Sequence, residues 1–175
     1  MAEIDRSRLA TAGRQPLAAN AYRQQAPGYA PLSGVGAQKR GGRFNPPDSF
    51  PTLYLCSTRA CAVAELRHQG ELLPIGVAGL LPRILYRYQV QLEAVLNLTD
   101  QVALRHLAIS HTDIVQRDWK MTQELGAMAH DEGLQGLLAP SATGVDDVIV
   151  VFIDQVEPGA VQPLEMEQWT STTQL

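Results

Sequence analysis

The sequence predicts a single α+β domain with a mixed or antiparallel β core flanked by helices, and three observations predict it. Strand-like and helix-like stretches are mixed without the regular strand–helix–strand rhythm of a doubly wound sheet. No Gly-x-Gly-x-x-Gly follows a strand and opens a helix, so a Rossmann dinucleotide site is not supported. The 175 residues are 45% apolar and 18% charged, an ordinary globular balance sufficient for one sizeable core.

Along the chain, residues 1–19 mix Ala, Arg, Pro and Gln without periodicity and read as an entry segment, mobile or draped over the surface. A short strand is expected at Asn20–Arg23. From Gln24 to Pro51 repeated Gly and Pro break any regular element, and a loop of that length inside one domain calls for a functional reason. Thr52–Cys56 reads as a strand, after which Ser57 or Thr58 caps a helix that runs through Glu65 and stops at Gly70. In that helix Cys61 and Glu65 share a face, as do Ala60 and Ala64, so one side can pack close to a neighbour.

Ile84–Leu92 alternates as a strand, and Val95–Leu98 continues as a second short one. Asp100 caps a helix to about Ala108, and a longer helix is expected from Thr112 to Asp131, ending at Gly133. Gly136–Pro140 and Val148–Ile153 look like buried strands, the second almost continuously apolar. Periodicity fades after Glu157. The organisation expected is therefore an N-terminal segment (1–19), one domain (20–157) and a C-terminal tail (158–175).

A formal charge of −4 and a pI near 5.5 argue against a surface built to neutralise phosphate backbones, so nucleic acid is not the expected partner. The N-terminus lacks the apolar core of a secretion signal and no apolar run approaches the roughly 18 residues of a membrane span, so a cytoplasmic protein is expected. Cys56 and Cys61 sit among apolar neighbours and read as buried free thiols. The four histidines are scattered without metal-ligand spacing, and no metal or cofactor is expected.

Gly41-Gly42-Arg43-Phe44-Asn45-Pro46-Pro47 is the most unusual local sequence. Paired glycines let a backbone approach a ligand closely, and Arg43 offers a fork of donors suited to phosphate. Taken alone, the stretch suits a solvated surface turn equally well. Tyr54 lies on a strand, where packing is the commoner use of a tyrosine. Glu65, in a helix of Ala and Cys, is a carboxylate facing a close-packed neighbour, which costs free energy unless it is paired or used. Ser141 follows an apolar run at a strand end; no Gly-x-Ser-x-Gly elbow surrounds it, and a turn or capping serine fits it as well.

Tyr22-Arg23, Gly41-Gly42-Arg43-Phe44-Asn45-Pro46, Leu53-Tyr54-Leu55, Ala60 to Glu65, Trp119 with Gln123 and Gly126, and Pro140-Ser141-Ala142 together resemble, in order and spacing, the RES domain. The likeness covers roughly residues 20–155. It implies a fold similar to ADP-ribosyltransferase toxins, and a toxin of a bacterial toxin–antitoxin pair whose partner is an Xre-type helix-turn-helix antitoxin. The implied activity is loss of NAD, its substrate, by phosphorolysis or hydrolysis of the nicotinamide–ribose bond, with inorganic phosphate a possible co-substrate; ADP-ribosylation of a protein is a variant theme. The resemblance implies that Arg23 and Arg43 hold the NAD phosphates, Tyr54 flanks the nicotinamide ribose, Glu65 serves the reacting ribose and Ser141 completes the pocket. Tyr22, Gly42, Phe44, Asn45 and Gln123 are implied substrate-binding positions. Phe44 stands where the family commonly has Trp, and Asp48 near where Gly is expected.

Chemically, breaking that bond passes through an oxocarbenium-like ribosyl cation, which a nearby carboxylate stabilises. The leaving group is already cationic and needs no proton, so one carboxylate suffices. A non-catalytic nucleotide-binding module is the reading from another class. A nuclease is disfavoured by the acidic balance and the missing metal or His pair. A homodimer and a hetero-oligomer with the antitoxin both remain open.

Overall fold

In the computed structural model, which describes residues 4–175, six strands form one sheet: β1 (Gln15–Gln25), β2 (Thr52–Cys56), β3 (Arg83–Asn97), β4 (Gly136–Pro140), β5 (Asp147–Phe152) and β6 (Val161–Trp169). Their order is β1-β2-β5-β4-β3-β6, and β1 also pairs with β3. The first five strands therefore close into a small barrel, with β6 added to β3 outside the ring. β3 and β4 are parallel and every other pairing is antiparallel. This is the expected α+β architecture with a mixed sheet.

The ring is held unevenly. β1 and β3 pair from Gln15↔Val95 to Gln25↔Ile84, whereas β1 and β2 share the single register pair Tyr22↔Cys56. That seam is where the barrel opens. Its inner face buries Ala21, Leu53, Leu55, Tyr88, Ile149 and Val151 in one cluster. The alternate residues of the same strands, Val150 and Phe152 with the partly buried Tyr54 and Val148, pack outward against helices. Both faces of β2 and β5 are thus covered, which is why β5 reads as a near-continuous apolar run.

One helical layer consists of α1 (Arg6–Thr11), α5 (Gln101–Leu107), α6 (His111–Val115) and α7 (Lys120–Asp131), seated through Leu9, Leu104, Ile114, Leu125 and Ala129. On another side α3 (Arg59–Glu71) and α4 (Gly76–Leu80) pack with Leu85 and Trp169. The caps follow the sequence: the Thr58 hydroxyl accepts from the Cys61 N–H at 3.0 Å, and the Asp100 carboxylate from the Val102 N–H at 2.9 Å. Among the described residues no helix is long and apolar enough to cross a membrane.

Five local expectations change. Within residues 1–19, where a loose entry segment is expected, the described part holds α1, anchored by a fully buried Leu9, and the first half of β1. The inward residues of that strand are Leu17, Ala19 and Ala21, and alanines carry little hydrophobic alternation. The expected tail 158–175 holds β6, whose interior residues are all exposed; backbone pairing with β3 and a buried Trp169 hold it there, so it needs no alternating pattern. The two strands expected at 84–92 and 95–98 are one strand, β3. The expected helix 112–131 is two, α6 and α7, because Gln116 turns extended at the α6 C-cap. The long Gly/Pro loop also contains a short helix, α2 (Val35–Arg40).

Candidate active site

A cleft of about 400 Å³ opens at the β1–β2 seam, in the size range of small-molecule sites. Tyr22 and Cys56, the one register pair of that seam, both line it. Sparse pairing leaves room between the strands, and the Gly-rich loop, β2, α3 and the end of β4 converge on the gap. The hydrogen bond with Cys61, followed by burial, holds the Cys56 thiol well above its ordinary range, so Cys56 is an inert wall rather than a nucleophile. Both cysteines are free and buried.

Glu65 supplies the carboxylate. It sits on the face of α3 that also presents Ala62 and Gln69 to the cleft, the i, i+3 and i+7 positions of one helical stripe. Ala62, 1% exposed, keeps that stripe low enough for a ligand to reach the carboxylate. Ser141 is itself 2% exposed and does not line the cleft, although its neighbours Pro140 and Ala142 do. Its hydroxyl donates to Glu65 Oε1 at 2.8 Å, while its oxygen accepts from the Thr143 N–H at 3.1 Å and lies 2.7 Å from the Thr143 hydroxyl. The serine proton is committed to the carboxylate, so Ser141 orients Glu65. Thr143 completes this arrangement and had no signal in sequence beyond its closeness to Ser141.

Tyr54 is the clamp of the Gly-rich loop. Its hydroxyl accepts from the Phe44 N–H at 2.8 Å and donates to Asn45 Oδ1 at 2.8 Å. Burial holds this phenol above its usual range, so it stays protonated as the clamp requires. Asn45 is fully buried and donates to the Ala37 carbonyl at 2.8 Å, tying the loop to α2. From the other side Gln123 of α7 donates to the Gly42 carbonyl at 2.9 Å without lining the cleft.

Two glycines permit this docking. A Cβ on Gly42 would lie 2.5 Å from the Tyr54 hydroxyl, so the bare side of Gly42 is taken by that ring. A Cβ on Gly126 would collide with the Phe44 carbonyl, so α7 is pressed directly on the loop backbone. Gly42 and Gly126 thus serve packing within the fold, and Gly42 lines the cleft as well. Phe44 lines the cleft yet is 1% exposed and belongs to the helical core. Asp48 has φ of 53°, the left-handed conformation that accounts for the expectation of glycine there.

Four arginines line the cleft: Arg23, Arg40, Arg43 and Arg83. Among the described residues none of them forms an ion pair with a carboxylate; the arginine pairs that do form involve Arg6, Arg8, Arg14, Arg59 and Arg87. Among the described residues Glu65 is the only acidic one in the lining. Arg43 donates through Nη1 to the Ile114 and Gln116 carbonyls at 2.8 and 3.3 Å, and lies 5.8 Å from the Trp119 ring centroid. Part of its fork thus holds the break between α6 and α7, and the rest faces the cleft. Burial lowers its affinity for a proton, while Glu65 and Tyr54 act the other way. Arg23 donates to the Pro31 carbonyl at 3.4 Å, which also accepts from the Tyr88 hydroxyl at 2.7 Å. Burial pushes that phenol up to about 12.

Of the positions named from sequence, Tyr22, Arg23, Gly42, Arg43, Phe44, Tyr54 and Glu65 line one cleft, while Asn45, Gln123 and Ser141 stand behind it and hold others in place. Sequence reasoning missed Gln24, Arg40, Gln69 and Arg83. Gln69, one turn after Glu65, was legible from helical spacing. Arg83 was not, because only the β1–β3 pairing brings it beside β1.

The RES domain family model matches residues 20–173. The NAD(+) phosphorylase MbcT of Mycobacterium tuberculosis is 32% identical over 133 residues, which are 75% of this chain and 72% of that protein. A probable NAD(+) phosphorylase of the same organism is 31% identical over 138 residues, 77% of this chain and 64% of that protein. Among solved structures, a chain of the M. tuberculosis MbcT–MbcA toxin–antitoxin complex superposes with a TM-score of 0.85 at 28% identity, covering 94% of this chain and 91% of its own. The fold, the converging motifs and a family match spanning nearly the whole chain lead to one conclusion: this protein belongs to the RES domain family.

Proposed function

We propose that this protein is the toxin of a toxin–antitoxin pair and depletes NAD in the cytoplasm by breaking the bond between nicotinamide and ribose. The observation that carries the reading is a carboxylate, Glu65, oriented by Ser141 and sharing its cleft with four arginines that have no carboxylate partner among the described residues. The similar proteins named NAD(+) phosphorylase support it, and so does the likeness to a chain of a toxin–antitoxin complex.

In this reading Arg23 and Arg43 anchor the dinucleotide diphosphate through charge-assisted hydrogen bonds, and the binding energy is used to position the ribose. Glu65 holds the ribose hydroxyls and stabilises the positive charge that develops on the ring as the C1″–N bond lengthens. Nicotinamide leaves as a neutral molecule carrying the electron pair of that bond, so no general acid is required. Tyr54, Asn45 and Gln123 keep the Gly42–Asn45 loop closed over the cleft. Inorganic phosphate is the acceptor, with ADP-ribose 1″-phosphate as product. The partner is an antitoxin protein of the Xre-type helix-turn-helix class.

The test is incubation of the purified chain with NAD, with and without phosphate, and measurement of free nicotinamide. Wild type is expected to release it and Glu65→Gln to lose release by at least about a thousandfold, with an unchanged circular dichroism spectrum. Full activity in Glu65→Gln removes that residue from the mechanism.

A further inference from the structure

We propose that Arg83, held by Gln24 and accompanied by Gln69, is the subsite that binds the phosphate acceptor, and so decides between phosphorolysis and hydrolysis. The inference rests on the reading of this cleft as an NAD-cleaving site.

Arg83 begins β3 and reaches the cleft because β1 and β3 pair beside it. Its Nε donates to Gln24 Oε1 at 2.6 Å, which fixes the plane of the guanidinium. Gln24 is braced in turn by its amide donating to Gln69 Oε1 at 3.4 Å. Both Nη nitrogens of Arg83 make no hydrogen bond among the described residues. An Arg whose Nε is tied down and whose two terminal nitrogens remain available presents the donor fork that grips a tetrahedral oxyanion.

Two further observations point to an anion at this place. Arg23 and Arg83 line the same cleft and neither pairs with a carboxylate among the described residues, and burial together with the positive charge of Arg23 disfavours protonated Arg83. An anion bound there relieves both costs. The charge balance of the whole cleft agrees. Among the described residues four guanidinium groups and one carboxylate line it, an excess of three positive charges. Oxidised NAD brings two diphosphate charges and one positive pyridinium ring, and so neutralises only one. A phosphate of charge about −2 near neutral pH accounts for the remainder.

Position fits as well. Gln69 follows Glu65 by four residues on α3, about 6 Å along the helix. Gln69 links through Gln24 to Arg83, and all three line the same cleft as Glu65, where a bound phosphate would meet the reacting ribose. There one phosphate oxygen forms the C1″–O bond while the C1″–N bond breaks, its electron pair going to the nicotinamide nitrogen; hydrogen phosphate keeps its proton in the product, so no base is needed. Arg23, which lines the same cleft, serves both anions in this arrangement.

The experiment uses the full chain and two variants, Arg83→Gln and Arg83→Lys. Initial rates are measured against phosphate and against NAD separately, and products are resolved as ADP-ribose 1″-phosphate or ADP-ribose. Arg83→Gln is expected to raise KM for phosphate about ten- to hundredfold, to change KM for NAD less than about threefold, and to shift the product toward ADP-ribose. Arg83→Lys, which keeps the charge without the fork, is expected to fall between. Equal rises in both KM values, or a rise for NAD alone, overturn the proposal and assign Arg83 to the dinucleotide. Thermal stabilisation by inorganic phosphate, at ionic strength matched with chloride, is measured in parallel and does not depend on turnover. Phosphate that stabilises wild type and Arg83→Gln alike overturns the subsite. If wild type releases no nicotinamide but phosphate stabilisation is lost in Arg83→Gln, the NAD reading fails and the anion site stands.

Discussion

Removing one oxygen from Tyr54 tests how the Gly-rich loop is held. In Tyr54→Phe the ring still fills the space against Gly42, but the Phe44 N–H and Asn45 Oδ1 each lose a partner at 2.8 Å. Phe44 is 1% exposed and Asn45 is fully buried, so neither group is freely solvated once its partner is gone. A buried polar group left unpaired costs about 1–3 kcal/mol. Water entering from the adjacent cleft offsets part of the two, giving an expected loss of about 3 kcal/mol. For a chain of this size that lowers Tm by about 6–12 °C, measurable by urea or thermal unfolding. The same variant should raise KM for NAD, because the loop carries Arg43. Its pH behaviour gives a second reading. The Tyr54 pKa is raised in the folded state, so its contribution is complete below the unfolded value of about 10 and is lost as pH rises beyond it. Tyr54→Phe should therefore flatten the alkaline fall in stability. A loss below about 0.5 kcal/mol, together with unchanged hydrogen exchange at the Phe44 amide, would refute the clamp.

Three further outcomes are expected. Ser141→Ala removes a charge-assisted hydrogen bond to Glu65 of about 1.5–3 kcal/mol and should lower kcat about ten- to hundredfold with little change in KM for NAD; a kcat within twofold of wild type means that Glu65 needs no such orientation. Arg43→Ala should raise KM for NAD and also lower thermal stability, since it releases the Ile114 and Gln116 carbonyls; lost stability with an unchanged KM leaves it a purely structural residue. Asp48→Gly relieves a left-handed backbone and should stabilise by up to about 1 kcal/mol in urea unfolding, whereas destabilisation would show that the aspartate side chain is worth more than the strain.

Much of the site was readable from local sequence because its parts are local motifs. The Gly-rich loop, the Thr58-capped helix carrying Glu65 and the strand end at Ser141 each announce themselves through turn residues, a cap and apolar periodicity. What those motifs do to one another was not readable. Asn45, Gln123 and Ser141, named as pocket residues by resemblance, lie behind the cleft wall, since hydrogen bonds across the fold commit their side chains to Tyr54, Gly42 and Glu65.

By itself the sequence determined the α+β class, the strand and helix nuclei with strong alternation or clear caps, and most of the charged groups of the cleft. Only the tertiary structure decided that β1 starts at Gln15, that the polar stretch Val161–Trp169 is a strand, and that Arg83 belongs to the site. The physical reason is common to all three. β1 carries small alanines on its inward side, β6 lies at an edge with its interior residues in solvent, and Arg83 is placed by pairing across about sixty residues of chain. None of these has a local hydrophobic signature, because backbone hydrogen bonds to a distant strand, rather than burial of their own side chains, put them where they are.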